Sequence, residues 1–338
     1  MTTAHTRRCG PFIGAMFVLI AVFASPHVAR AADDGGQPGA MLDWGIGARP
    51  VAMGGAFTAV AEGPTGYWWN PAGIAQVRDD GFEAAVRRMS FDRQAGYVSL
   101  VHPFGKEEAA MGVSWVYAGV GDVFSYDVDG NRGDKISDFT NAVGFSFARR
   151  FTERGSPAAF GIGLNLRYIQ HNIANINAYT VGIDLGTQCV YRFRRSTGPK
   201  DAPSEVRLGA SVQRLNEKFS WTTTKYWIPQ GEATGSSFDE KVPVVVRTGA
   251  AALFLKQRAL VAFDLDFRQG IGGEWHAGAE YRLHPLLALR AGLDDGDVTF
   301  GAGLAPQVRP GMNVLIDYAY ARQPDAIDPE HIFSIGLR

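Results

Sequence analysis

Apolar and polar positions alternate along most of the chain from residue 81 onward. Phe160, Ile162 and Leu164 alternate with Gly161 and Gly163, a period of two that is typical of a strand with one apolar and one polar or small face. About 14 segments carry this pattern, near residues 81–89, 93–103, 108–119, 138–151, 158–171, 177–194, 204–216, 241–255, 259–269, 273–284, 286–294, 297–305, 311–322 and 330–338. An even number of strands permits closure into an antiparallel barrel.

The composition of the second face separates a membrane barrel from the alternative, a secreted β-sandwich or large soluble sheet. A soluble sheet would carry Lys and Glu on its polar face, whereas this face is rich in Gly, Ala, Ser and isolated charges. No segment downstream of residue 31 has 18 consecutive apolar residues, as a spanning helix would require. We therefore predict an all-β fold, a transmembrane antiparallel β-barrel of about 14 strands.

The connections between the predicted strands differ in length in a regular way. Outer-membrane barrels have longer outer loops and short periplasmic turns. Counting from the last strand, residues 120–137 and 219–240 are predicted outer loops, and 105–107, 256–258 and 284–285 are predicted periplasmic turns. Both of the longest connections thus fall at one end of the barrel.

The first 31 residues have the features of a signal peptide. Arg7 and Arg8 precede an apolar run at 12–24, and an Ala-x-Ala cleavage site ends at Ala31. Cleavage there leaves Cys189 as the one cysteine of the mature chain, predicted to be a small apolar residue. The chain carries 33 basic and 34 acidic residues, so no nucleic-acid partner is predicted.

Between the signal peptide and the first strand, residues 32–80 form a Gly- and Ala-rich segment. Within it, residues 48–75 are too rich in glycine for one long helix and too irregular for a strand, and glycine lets two backbones approach closely. Asn70 before Pro71 predicts a fixed turn, because the residue before proline avoids the helical region. The residues that characterise this segment are Gly54, Gly55, Ala56, Asn70, Pro71, Ala72 and Gly73.

Residues 47–73 resemble the N-terminal segment of the PorV/PorQ family, which lies within the wider FadL-like group of outer-membrane proteins. The resemblance implies that residues 32–80 form a hatch inside the lumen of a barrel made by residues 81–338. It also implies an integral protein of the outer membrane of a diderm bacterium, in contact with outer-membrane lipid and inserted by the barrel assembly machinery. No cofactor is predicted.

Two non-enzymatic functions follow from the resemblance. One is uptake or passage of hydrophobic small molecules. The alternative is a component of a type IX-like secretion system that binds exported protein domains through its outer loops. For passage, the predicted apolar contacts are Phe57, Trp68, Trp69, Phe219, Trp221, Tyr226 and Trp227.

Facing polar residues in the late hairpins predict cross-strand pairs that line the lumen. The expected pairs are Asp266 with His276, Arg268 with Glu274, and Glu280 with Arg290. An outer-membrane enzyme is a less favoured interpretation, since the chain has neither a G-x-S-x-G nor an H-E-x-x-H motif.

One outer loop partly matches a calcium-binding loop. The residues at ligand positions are Asp127, Asp129, Asn131 and Asp138. Arg132 occupies the position that requires glycine, and the flanking segments are predicted strands. A polar outer loop without a metal is therefore the preferred interpretation.

Overall fold

The computed structural model describes residues 39–105, 108–152, 155–174, 176–193, 202–224, 235–322 and 328–338. The predicted signal peptide, together with Tyr226 and Trp227, lies outside the described residues.

Within these ranges, fourteen antiparallel strands form a closed barrel. Its strands are β1 (Gly81–Arg88), β2 (Arg93–Phe104), β3 (Ala109–Tyr126), β4 (Arg132–Thr152), β5 (Ala158–Ile173), β6 (Ile176–Arg192), β7 (Glu205–Leu215), β10 (Val245–Phe254), β11 (Ala259–Arg268), β12 (Gly272–His284), β13 (Leu287–Asp294), β14 (Asp297–Leu304), β16 (Met312–Ala321) and β17 (Glu330–Leu337). Closure is made by the pairing of β1 with β17. The short strands β8 (Lys218–Thr222) and β9 (Ser237–Lys241) form a separate hairpin, and β15 (Gln307–Arg309) pairs with β16. The predicted barrel of about 14 strands is confirmed.

The two faces of the wall differ in chemistry because side chains alternate along each strand. Large apolar side chains such as Phe145, Leu166 and Phe263 lie exposed on the outer face. Asn165 and Asp184, on the other face, are completely buried. The polar face therefore points into the barrel and is covered from within.

The predicted loop at 120–137 is mostly strand, which corrects the sequence-based boundary. β3 continues to Tyr126 and β4 begins at Arg132, and Phe124 pairs with Lys135 after a register shift near Val120. The two strands continue past the barrel rim because they pair with each other. Only residues 127–131 form the connecting turn.

The connection predicted at 219–240 contains the hairpin β8–β9. Both this connection and β3–β4 lead from an odd to an even strand of the barrel, so they lie at the same end. We call this the long-loop end and the opposite one the short-turn end.

Residues 39–77, here called the luminal segment, lie inside the barrel. They contain two short helices, Ala48–Ala52 and Gly66–Trp69, and two 3-10 turns, Ala40–Asp43 and Pro71–Gln76. Among the described residues, no helix is long and apolar enough to cross a membrane. The position of the segment agrees with the predicted hatch.

Candidate functional site

Glycines on the inner face of the wall allow the luminal segment to touch the strands. A Cβ atom at Gly163 would overlap with Pro71 and Ala72, and one at Gly209 would overlap with Thr58. The inward-facing glycines with such contacts to the luminal segment are Gly163, Gly186, Gly209, Gly278, Gly292 and Gly301. They come from six different strands, so the segment fits the wall along much of its circumference.

Asn70 joins the luminal segment to the wall. Its completely buried side chain donates hydrogen bonds to the carbonyl oxygens of Thr58, at 3.0 Å, and Thr187, at 2.9 Å. Its Oδ1 accepts a hydrogen bond from the backbone N–H of Ala72 at 3.1 Å. The amide thus fixes the turn that begins at Pro71 and also anchors it to β6.

The other residues of the predicted hatch motif also lie in close contacts. Gly54 and Gly55 have positive φ angles of 65° and 79°, which glycine adopts without strain. Ala56 and Ala72 are completely buried, and a Cβ at Gly73 would overlap with the backbone of Ala61.

Inward-facing polar side chains bind the backbone of the luminal segment. Asp264 accepts a hydrogen bond from the N–H of Thr58 at 2.6 Å, and Gln188 donates to the carbonyl of Ala59 at 2.8 Å. Further wall contacts of this kind are made by Ser99 to Pro64, Gln213 to Trp68, His276 to Gly54, Thr299 to Ala52 and Ser334 to Ala48. The hydrogen bonds within the segment join residues close in sequence, such as Ala61 N–H to the carbonyl of Phe57, and leave other backbone groups free to pair elsewhere. Buried backbone groups must be paired. The wall supplies those partners.

A network of charged residues crosses the lumen toward the short-turn end. Arg49 of the luminal segment binds Glu62 at 2.8 Å and Glu280 at 2.7 Å. Arg290 binds Glu280 at 2.8 Å and Asp317 at 2.6 Å. Glu280 lies directly opposite Arg290 in the ladder, the register expected from the sequence.

The register expected for the β11–β12 hairpin is wrong by two residues. Asp264 lies opposite His276, and Asp266 lies opposite Glu274. The turn is centred on Gly270, whose φ of 80° suits glycine, and moving the centre by one residue changes every pair by two. The expected side chains still meet diagonally, Arg268 with Glu274 at 2.7 Å and His276 with Asp266 at 3.5 Å.

An apolar cavity of about 250 Å³ lies between the luminal segment and the wall at the long-loop end. Met41, Leu42 and Trp44 of the luminal segment form one side, and Ala118 and Ile169 belong to the wall. The remaining lining residues are Gly39, Ala40, Arg93, Gly119, Val120, Asp138, Thr140, His171 and Phe219.

The β8–β9 hairpin, here called the lid hairpin, covers this cavity. Phe219 and Trp221 are buried, and their rings lie 6.0 and 5.2 Å from the ring of His171. The N–H of Lys218 donates to Thr180 Oγ1 on β6 at 2.8 Å. The hairpin therefore folds inward against β5 and β6.

The predicted ligand-contacting residues separate into two groups. Phe219 lines the cavity, and Trp221 packs beside it on the lid hairpin. Phe57, Trp68 and Trp69 instead pack between the luminal segment and the wall, where the guanidinium groups of Arg49, Arg167 and Arg247 lie over their respective rings. They do not line this cavity.

Sequence reasoning missed the contributions of Met41, Leu42, Trp44, Ile169 and His171. The signal available was the alternation along β3 to β5, where the inward positions Ala118, Ala142 and Ile169 are apolar and lie below polar positions at the long-loop end. The positions of residues 41–44 follow from no such pattern, because that segment is irregular.

The residues of the suspected calcium loop have other partners. Asp127 accepts hydrogen bonds from the side chain and backbone of Asn131 and from the N–H of Asp129. The hydrogen bonds from Asn131 lower the pKa of the Asp127 carboxyl below its ordinary value. Asp138 pairs with His171 at 3.3 Å on the wall. Within the described ranges, no three His, Cys, Asp or Glu side chains are grouped as metal ligands would be.

No family model matches the chain, and no curated protein matches it. Among solved structures, the monoaromatic hydrocarbon channel CymD has 15% identical residues and a TM-score of 0.56, covering 87% of this chain and 97% of its own. The toluene transporter TbuX of Ralstonia pickettii has 14% identity and a TM-score of 0.54 over the same shares of both chains. A FadL homologue of Pseudomonas aeruginosa has 14% identity and a TM-score of 0.50, covering 88% of this chain and 97% of its own.

At such low identity these likenesses show the fold alone. The chain has the barrel fold of FadL-type outer-membrane transporters. The assignment to PorV/PorQ and the secretion role that it implies stay predictions.

Proposed function

We propose that this protein is an integral barrel of the outer membrane through which hydrophobic small molecules pass. The observation that carries the proposal is the apolar cavity of about 250 Å³ under the lid hairpin. Concave, mostly apolar sites with a few polar groups are the usual form of small-molecule binding sites. The outer face supports membrane insertion, because its exposed apolar side chains would be unfavourable in water.

The volume of the cavity indicates the size of ligand that it can hold. An apolar cavity of roughly 150 Å³ binds benzene, so a cavity of about 250 Å³ accommodates a single substituted ring. TbuX is a toluene transporter and CymD a monoaromatic hydrocarbon channel. Both ligand types have a size that this cavity would hold.

Uptake of radiolabelled toluene by cells that express the protein tests the proposal. Ala118→Phe places a ring in the cavity and should reduce uptake toward that of cells without the protein. The matched control is Val113→Phe, which adds a ring on the same strand at an outward, half-exposed position. Both variants should fractionate with the outer membrane on a sucrose gradient.

Two results would contradict the proposal. One is uptake that is equal in expressing and non-expressing cells. The other is recovery of the wild-type protein in the soluble periplasmic fraction without detergent.

A further inference from the structure

The polar groups of the cavity lie together at its mouth. Arg93, Val120 and Asp138 are register partners in one row across β2, β3 and β4. The row two residues deeper holds Ala118, Thr140 and His171, and Ile169 lies deeper still. The cavity is therefore polar toward the long-loop end and apolar toward its floor.

Arg93 and Asp138 both keep unused hydrogen-bonding capacity. Arg93 donates from Nε to the carbonyl of Ser90 at 3.0 Å, and its guanidinium lies 5.9 Å from the ring centre of Trp44. Asp138 Oδ1 lies 3.3 Å from His171 Nε2. Within the described part of the chain, the terminal nitrogens of Arg93 and Oδ2 of Asp138 have no hydrogen-bond partner at these distances.

The Arg93 guanidinium and the Asp138 carboxylate need opposite kinds of hydrogen-bond partner. A guanidinium only donates hydrogen bonds, whereas a carboxylate only accepts them. A hydroxyl group both donates and accepts, so it can satisfy either residue or both. A hydrocarbon offers neither group a hydrogen bond, so both would depend on water as their partner.

The charges at the mouth discriminate against an acidic ligand. Arg93 would attract a carboxylate, but Asp138 in the same row would repel it. The charges of the two side chains cancel, which favours a neutral head group. The apolar floor formed by Leu42, Ala118 and Ile169 favours a ring below that head group.

We propose that the cavity selects neutral aromatic alcohols of one ring, phenols in particular, with the ring on the apolar floor and the hydroxyl between Arg93 and Asp138. This inference rests on the proposed function and specifies its ligand. Trp44 and Phe219 line the same space and offer aromatic contacts to the ring.

Equilibrium dialysis of the purified mature protein in detergent tests this inference with three radiolabelled probes, p-cresol, toluene and 4-methylbenzoate. Empty micelles correct for partitioning into detergent. The three probes share a methyl-substituted ring and differ only in the head group. We expect p-cresol to bind about tenfold more tightly than either other probe, because a site built for a hydroxyl disfavours ligands without one.

The double variant Arg93→Met/Asp138→Leu removes both hydrogen-bonding groups, so it should weaken p-cresol binding about tenfold without weakening toluene binding. The control variant Arg132→Met/Asp134→Leu makes the same changes on the β3–β4 hairpin, beyond the cavity. It should bind all three probes as the wild type does. If the variant at Arg93 and Asp138 also loses toluene binding, the substitutions have disturbed the cavity as a whole. The affinities of the wild-type protein for the three probes then test the preference for phenols by themselves.

The outcomes distinguish this inference from the proposed function. Equal binding of p-cresol and toluene, or tightest binding of 4-methylbenzoate, would overturn the preference for phenols and leave the passage of hydrophobic molecules standing. Failure of the wild-type protein to bind any probe would overturn both.

Discussion

At the scale of single residues, a few buried polar side chains determine how the luminal segment is held. Asn70 provides three hydrogen bonds, and the one to Thr187 connects parts of the chain that are far apart in sequence. The sequence predicted a turn at this residue because proline follows it. The contact with Thr187 could not be predicted, since it depends on where β6 passes in the closed barrel.

Asn70→Ala should loosen the luminal segment without opening the barrel. Buried groups left without partners cost roughly 1–3 kcal/mol each, so a loss of about 3 kcal/mol should raise hydrogen exchange of residues 66–77 about 100-fold. Mass spectrometry of peptides from the folded protein measures this. Asn177→Ala is the control, because Asn177 accepts one hydrogen bond from Asn172 in the β5–β6 hairpin, away from the segment. Unchanged exchange in Asn70→Ala would mean that the side chain does not anchor the segment.

At the scale of elements, each strand carries two different surfaces, and the inner one is shaped by its glycines. The alternation identified β5 and β6 correctly. It also placed Gly161 and Gly163 on the polar, inward face of β5, but it could not show which of the two contacts the luminal segment more closely. Gly163 contacts Pro71 and Ala72, whereas a Cβ at Gly161 would be 3.5 Å from its nearest neighbour in the luminal segment.

This difference provides a matched pair of substitutions. Gly163→Ala forces the Pro71 turn away from β5 and should destabilise docking of the segment by about 1–3 kcal/mol, the usual cost of overpacking. Gly161→Ala adds the same methyl group, on the same face of the same strand, in ordinary van der Waals contact. Hydrogen exchange of residues 66–77 should rise in the first variant only. Equal exchange in the two variants would contradict the close fit.

The β3–β4 hairpin should respond to acid at its tip. The lowered pKa of Asp127 means that its ionised form is favoured by the folded turn, chiefly through the hydrogen bonds from Asn131. That stabilisation is complete above the ordinary carboxyl pKa of about 3.9. It is lost as the pH falls through the lowered pKa.

Amide exchange at Asp129 and Asn131, corrected for its intrinsic pH dependence, should therefore show less protection at pH 2 than at pH 5. Asp127→Asn can form a similar turn without titrating, so its protection should be nearly constant across this range. An equal pH response in the two proteins would show that Asp127 is not the group responsible.

At the scale of the whole molecule, the lumen is divided into layers. The apolar cavity lies near the long-loop end, the luminal segment fills the middle, and the network around Arg49 and Glu280 lies toward the short-turn end. A barrel is held by its closed ladder of hydrogen bonds. Removal of the internal segment therefore need not unfold it.

Deletion of residues 41–76 should give a barrel that inserts and conducts ions. Asp184, Asp264 and Glu280 would then face open water instead of the segment. Recordings in planar bilayers should show higher conductance than for the wild type, with heat-modifiable migration in gels as the check on folding. Equal conductance of two well-folded proteins would mean that the segment does not block the lumen.

The sequence by itself determined the number and order of the barrel strands, because a period of two between an apolar and a polar environment is a local property of each strand. It also predicted, from the glycines and the Asn70–Pro71 turn, that residues 32–80 differ from the wall. Only the tertiary structure decided the registers, as the turn at Gly270 shows, and the pairing of β3 with β4 beyond the rim. It alone brought Met41 and Trp44 to Ile169 and Phe219 around one cavity. These contacts join residues far apart in the chain, and their positions are fixed by closure of the barrel around the segment rather than by local preference.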